Sequence, residues 1–135
     1  AASDVYKRQG QLRTGSLCNL ERAMGGNGRF GGHFVMGHVD CTGSVVSITP
    51  VGQDHMVRIR IPKNYMRYTI DKGSIAIDGV SLTIASIPEE DVLEFWITPH
   101  TWQRTAMHTY QPGTVVNIEV DMIAKYVEKM FAGRA

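Results

Sequence analysis

Two histidines, His33 and His38, stand five positions apart in the run Gly31-Gly-His-Phe-Val-Met-Gly-His-Val39. On a strand that spacing puts them on opposite faces, and no carboxylate lies nearby at ligand spacing, so a shared metal site is not expected. His33 reads as a strand-end or surface imidazole. His38, backed by the close-approach Gly37, reads as either the same or a ligand contact and proton-transfer group. A second group, Thr98, Pro99, His100, Thr101, Trp102 and Gln103, collects hydroxyls, an amide and an indole where a proline makes the chain turn after a strand. At a barrel mouth these side chains could hold a polar ligand; the plainer reading is a polar loop anchored by a half-buried Trp102. Asp121 closes the last strand, as a helix N-cap or as a rim carboxylate beside the other loops. Lys72, before Gly73, reads as a solvated turn residue. No phosphate-binding glycine loop, serine-hydrolase elbow or zinc-protease motif is present.

The element that must position such groups is Lys72-Gly-Ser-Ile-Ala-Ile-Asp-Gly-Val-Ser-Leu-Thr-Ile84. Apolar residues alternate at Ile75, Ile77, Val80, Leu82 and Ile84 around Asp78-Gly79, the strongest short signal for a hairpin with a two-residue type I′ turn. Ile75 then faces Leu82 and Ile77 faces Val80. Ala76, Ser81 and Thr83 share the other face, small and polar enough to admit a planar ligand or simply to be wetted.

Further strands are expected at 35–39, 43–49, 56–61, 94–98 and 115–120, a short helix within 62–70, a single turn at 104–110 and a helix over 121–132. The last helix carries Ile123, Val127, Met130 and Phe131 as an apolar stripe that has no place inside a small barrel. Many short strands without βαβ alternation point to an antiparallel barrel. The 135 residues suit one domain; 43% hydrophobic and 20% charged residues describe a globular chain. A net charge of +1 gives no argument for nucleic acid, and no apolar run suits a membrane. Cys18 and Cys41 read as reduced thiols, and the cytoplasm is the simplest compartment.

The beginning is unusual. Asp4-Val5-Tyr6-Lys7-Arg8-Gln9 is what one frame of a common transposon-derived sequencing adaptor encodes, so residues 1–9 are read as foreign, with the true chain expected to start well upstream. Gly15-Ser-Leu-Cys-Asn-Leu-Glu-Arg-Ala-Met24 aligns without gaps to Gly113-Thr-Val-Val-Asn-Ile-Glu-Val-Asp-Met122, 98 positions later. That offset is the size of a small barrel, and it reads residues 10–30 as the last strand of a truncated first copy plus a glycine-rich linker.

Taken together, Gly31-Gly-His33, Met36-Gly-His-Val39, Tyr68-Thr-Ile-Asp-Lys-Gly73, Ile77-Asp-Gly-Val-Ser-Leu-Thr83, Arg104-Thr105 and Val116-Asn-Ile-Glu-Val-Asp121 resemble the alpha-chain riboflavin synthase family, from about Gly10 to the C-terminus. The resemblance implies an all-β fold: a six-stranded antiparallel Greek-key β-barrel with a C-terminal α-helix. Residues 31–121 would form the second of two lumazine-binding barrels, and residues 122–135 a helix that assembles a homotrimer. It further implies a cofactor-free, metal-free dismutation of two 6,7-dimethyl-8-ribityllumazine molecules to riboflavin and a ribitylamino-pyrimidinedione, and leaves room for association with lumazine synthase. Gly37, His38, Val39, Lys72, Ser81, Leu82, Thr83 and Thr98 to Gln103 fall where that family binds its substrate. His38, Thr83 and Asp121 are the expected proton-transfer or polar-holding groups. His100 and Trp102 depart from the commoner Glu-Thr-Leu pattern, which puts their contacts in doubt. The competing expectation is a lumazine or flavin-binding protein of the same fold without turnover.

Overall fold

The computed structural model describes residues 7–29 and 31–132. Residues 1–6 of the adaptor-like segment and 133–135 of the C-terminal segment lie outside them. Seven strands form one antiparallel sheet: β1 Cys41–Val51, β2 Asp54–Arg60, β3 Ser74–Ile77, β4 Val80–Thr83, β5 Ser86–Glu89, β6 Val92–Ile97 and β7 Val115–Val120, in the order β4-β3-β7-β1-β2-β6-β5. Among the described residues three α-helices accompany it, α1 Lys63–Met66, α2 Pro99–Arg104 and α3 Met122–Phe131, with 3-10 turns at Arg8–Gln11 and Ala106–Thr109.

The alternating residues make the core. Val57 and Ile59 of β2, Ile75 and Ile77 of β3, Leu93, Phe95 and Ile97 of β6, and Val116, Ile118 and Val120 of β7 are all buried together. Each fully buried side chain of this kind contributes about 1.5–3 kcal/mol. The β3–β4 hairpin has the register its alternation requires, Ile75 opposite Leu82, Ala76 opposite Ser81 and Ile77 opposite Val80. Its turn holds φ of 46° at Asp78 and 80° at Gly79, the two positive values of a type I′ turn. β1 and β2 approach so closely at Gly43 that a Cβ there would meet the Arg60 carbonyl oxygen at 2.7 Å.

Four expectations are corrected. Residues 35–39 form no strand: Gly37 adopts φ 73°, and the Met36 N–H donates to the Glu119 side chain at 2.6 Å instead of to a neighbouring backbone. Residues 15–24 form no strand either, lacking a partner ladder. The run after Gly79 divides into β4 and β5, where Ile84 N–H donates to the Gly73 carbonyl and Ala85 N–H to the Glu94 carbonyl, so the sheet counts seven strands. Finally, Thr98-Pro99 opens α2 rather than a loop: the Thr98 hydroxyl accepts from Thr101 N–H at 3.5 Å and Pro99 fills the first helical position.

Polar contacts tie helix α3 to the residue before β1 and to the turn after α1. Lys125 Nζ donates to Asp40 Oδ1 at 2.6 Å, Tyr68 donates its hydroxyl to Glu128 at 2.5 Å, and Arg67 pairs with Glu128 at 3.0 Å. Its stripe of Ile123, Tyr126, Val127 and Met130 faces outward, 46–70% exposed.

Candidate functional site

Strand register decides which expected residues meet. Ile75 pairs with Val120 and Ser74 with Thr83, so Thr83, Ser74 and Asp121 form a row across the ends of β4, β3 and β7. Lys72 joins that end: its N–H donates to the Ile84 carbonyl at 2.8 Å, and it takes φ 65°, a left-handed conformation uncommon for a residue with a side chain. Gly37, His38 and Val39 lead into β1 at the same end, since Asp40 N–H donates to Ile118 and Asp40 Oδ2 accepts from Val120 N–H at 3.0 Å. His38, Lys72 and Thr83 are exposed there. Asp121 is half-buried, its Oδ1 accepting from Ile123 N–H at 2.9 Å as the cap of α3.

The Thr98–Gln103 group follows β6. β6 runs antiparallel to β2 with Ile97 opposite His55, beside the β1–β2 turn, so α2 starts from the end of the sheet that carries the Asp78-Gly79 turn. The residues after α2 confirm the placement. Ala106 N–H donates to Asn19 Oδ1 at 2.7 Å while Asn19 Nδ2 donates to the Asp78 carbonyl at 2.9 Å, and the Tyr110 hydroxyl donates to Asp78 Oδ2 at 2.5 Å. β4 contacts β6, and the antiparallel pairing through Ser86 and Ala85 with Glu94 leads along β4 toward Thr83 and along β6 toward Ile97, so the start of α2 borders the strand that carries Ser81 and Thr83. Within α2, Trp102 stacks on His55 with ring centroids 3.8 Å apart and planes 7° from parallel. His100 and Gln103 are exposed and Thr101 half-buried.

Between the two ends, Ser81 is enclosed by the segment preceding β1. Its Oγ accepts from His33 N–H at 3.3 Å and lies 2.7 Å from His33 Nδ1. Gly32 packs so tightly on it that any side chain there would collide with Ser81 Oγ. The polar hairpin face is thus partly covered: Ala76 is 1% exposed, and Glu119, beside it on β7, is held by Met36. Leu82 points the other way and packs on the core. The sequence reading took His33 as a strand-end or surface imidazole and did not find this pair; the adjacent Gly31-Gly32, small residues that allow close approach, was the available signal.

The Asp78 carboxylate is a second polar centre. It accepts from Asn117 N–H at 2.8 Å and from Tyr110, and pairs with Arg8, whose guanidinium lies 5.3 Å from the Tyr110 ring centroid. Burial, then the neighbouring Asp78 charge, pushes the Tyr110 hydroxyl well above its ordinary range. Burial and the Asp40 charge push the Cys41 thiol up to about 12. A cavity of about 520 Å³ beside Asp40, Cys41, Pro62 and Tyr65 contains none of the expected site residues. Among the described residues no group of three His, Cys, Asp or Glu side chains could hold a metal, and no helix is long and apolar enough to cross a membrane.

Comparison with known proteins brings these features together. The lumazine binding domain family matches residues 36–121. Riboflavin synthase of Actinobacillus pleuropneumoniae is 45% identical over 129 residues, covering 94% of this chain and 60% of its own length. That of Mycobacterium bovis is 46% identical over 123 residues, covering 90% and 61%. The chain thus spans about 60% of the length of these curated relatives. Among solved structures, LumP complexed with riboflavin is similar with a TM-score of 0.64 at 26% identity, over 69% of this chain and 50% of that one. LumP complexed with 6,7-dimethyl-8-(1'-D-ribityl) lumazine is similar at 0.63 and 26%, over 67% and 51%.

Proposed function

The chain belongs to the lumazine binding domain family, and on that premise we propose that it is the second-barrel portion of a riboflavin synthase. The whole protein would dismutate two 6,7-dimethyl-8-ribityllumazine molecules, one donating a four-carbon unit to the other, to give riboflavin and 5-amino-6-ribitylamino-pyrimidinedione. The observation that carries this reading is the meeting of His38, Lys72, Thr83 and Asp121 at one sheet end within a chain 45% identical to a riboflavin synthase. The chemistry calls for no cofactor. The C7 methyl of the lumazine is acidic, so a base that removes its proton generates the nucleophile, while a hydroxyl or water adds to the donor ring. The protein's contribution is to align two rings and move protons. We assign proton transfer or polar anchoring to His38, Thr83 and Asp121. We assign ligand contacts to Gly37, Val39, Lys72, Ser81, Leu82, Thr98, Pro99, His100, Thr101, Trp102 and Gln103.

The residues of this barrel suit one half-site, completed by the first barrel of a neighbouring copy. Residues 10–30 would belong to the end of a first barrel, 31–121 to the second, and 122–135 to a helix joining three copies, with residues 1–9 foreign. The outward apolar stripe of α3 supports the homotrimer, and a cytoplasmic complex with lumazine synthase would be compatible with it. The β4–β5 run, which leaves β3 and reaches Glu94 of β6 through Ala85, supports a sheet closed into a six-stranded Greek-key barrel with β4 and β5 as one bent strand.

A second reading, a lumazine or flavin-binding protein without turnover, is favoured by the likeness to LumP. Mixing the chain with 6,7-dimethyl-8-ribityllumazine, following ligand fluorescence and riboflavin appearance together, separates the two. Binding without riboflavin, with turnover appearing once the first barrel is restored, supports the synthase. Binding with no turnover in the full-length protein supports the second reading, and no binding overturns both.

A further inference from the structure

Glu119 is a buried carboxylate, 7% exposed, that takes part in no ion pair among the described residues. A charge taken out of water needs a partner, and here the partner is backbone: Oε1 accepts from Met36 N–H at 2.6 Å. Strand register shows what that bond holds. Glu119, Ala76 and Ser81 stand opposite one another across β7, β3 and β4, so they share a face. Residues 32–36 cross that row, held to Ser81 by the His33 N–H at one side and to Glu119 by Met36 at the other. Two positions along the strands, the next row on the same face runs from Asp121 to the exposed Thr83.

Gly37, His38 and Val39 form an arc beside that second row, and β7 fixes both of its ends. Met36 is held by the Glu119 carboxylate; Asp40 is held by its N–H to the Ile118 carbonyl and by its Oδ2, which accepts from Val120 N–H. Between the anchors, Gly37 takes φ 73° with open space beside its Cα, and the exposed His38 side chain has no partner among the described residues. We propose that Glu119 is a positioning residue for His38: its grip on Met36 N–H fixes one end of the arc and with it the place from which His38 meets the ligand. This rests on the lumazine-binding reading and deepens it. Being itself enclosed, Glu119 acts through His38 and not on the ligand.

The clamp is tested first in the ligand-free chain by backbone nitrogen-15 relaxation, which reports picosecond-to-nanosecond motion. Gly37, His38 and Val39 should be as rigid as β7 in the wild type and in Glu119→Gln, which keeps a carbonyl acceptor. In Glu119→Leu, which keeps the bulk and loses the acceptor, they should become mobile while the strands stay rigid. A rigid arc in Glu119→Leu overturns the proposal whatever the chain binds. If Glu119→Leu does not fold, Met36→Pro, which removes the donor from a segment outside the sheet, takes its place with the same expectation. The second test is fluorescence titration with 6,7-dimethyl-8-ribityllumazine. Glu119→Leu should weaken binding roughly tenfold, about the value of one hydrogen bond made through His38, and Glu119→Gln should stay within about threefold of wild type. In a His38→Ala background Glu119→Leu should add nothing, a coupling that a purely structural anchor does not show. Wild-type affinity in Glu119→Leu, additive losses in the double variant, or Glu119→Gln falling as far as Glu119→Leu overturns the proposal. Wild type failing to bind, with the arc rigid only where residue 119 can accept, defeats the lumazine reading and the positioning role with it.

Discussion

Asp121 serves two demands that substitution can separate. Its carboxylate caps α3 through Ile123 N–H and also ends the row with Ser74 and Thr83. Asp121→Ala should lose about 0.5–2 kcal/mol of helix stability. Asn caps about as well, so Asp121→Asn should unfold at nearly the wild-type temperature yet slow riboflavin formation in the full-length protein. Full activity of that variant would leave Asp121 as a cap only. Gly32→Ala has a different signature. The added methyl collides with Ser81 Oγ, so lumazine affinity should fall while circular dichroism of the core strands is retained. Cys41 makes a pH prediction. Its folded-state value of about 12 lies above the ordinary 9.0, so the folded chain keeps the thiol proton after the unfolded chain has lost it. Stability is therefore full below about 9 and declines as pH rises toward about 12; denaturant unfolding of Cys41→Ala across that range should show a shallower decline.

At the scale of elements, the β3–β4 hairpin is self-contained. Alternation and Asp-Gly, both local features, gave register and turn type together, and Gly79→Ala should cost about 1 kcal/mol in a chemical melt because φ of 80° crowds a Cβ. Helix α3 was equally legible, from an acidic cap followed by an apolar period. Elsewhere local sequence was ambiguous. Thr98-Pro99 is chemically a turn and a helix start at once, and only the stacking of Trp102 on His55, more than forty positions earlier in the chain, shows the helix in place. Residues 35–39 alternate like a strand, but the left-handed Gly37 and the reach of Glu119 to Met36 hold them irregular. The approach of β4 to β6, which brings Thr83 toward the start of α2, depends on pairing between strands separated by a turn of the fold, and no short window encodes that.

For the whole molecule, the exposed stripe of α3 is the feature to test. If three copies meet there, Ile123→Glu combined with Val127→Glu should yield a monomer by light scattering where the parent chain gives a larger species, with the fold of the sheet unchanged. An unaltered mass would place the assembly surface elsewhere.

The two faces of α3 also answer oppositely to dissolved ions. The Lys125–Asp40 and Arg67–Glu128 pairs that seat the helix are screened as salt is added, whereas the Ile123, Tyr126, Val127 and Met130 face gains adhesion in sulfate or phosphate. Dilute buffer therefore favours a well-seated helix, and concentrated kosmotropic salt loosens that seating while strengthening any apolar contact the outward face makes.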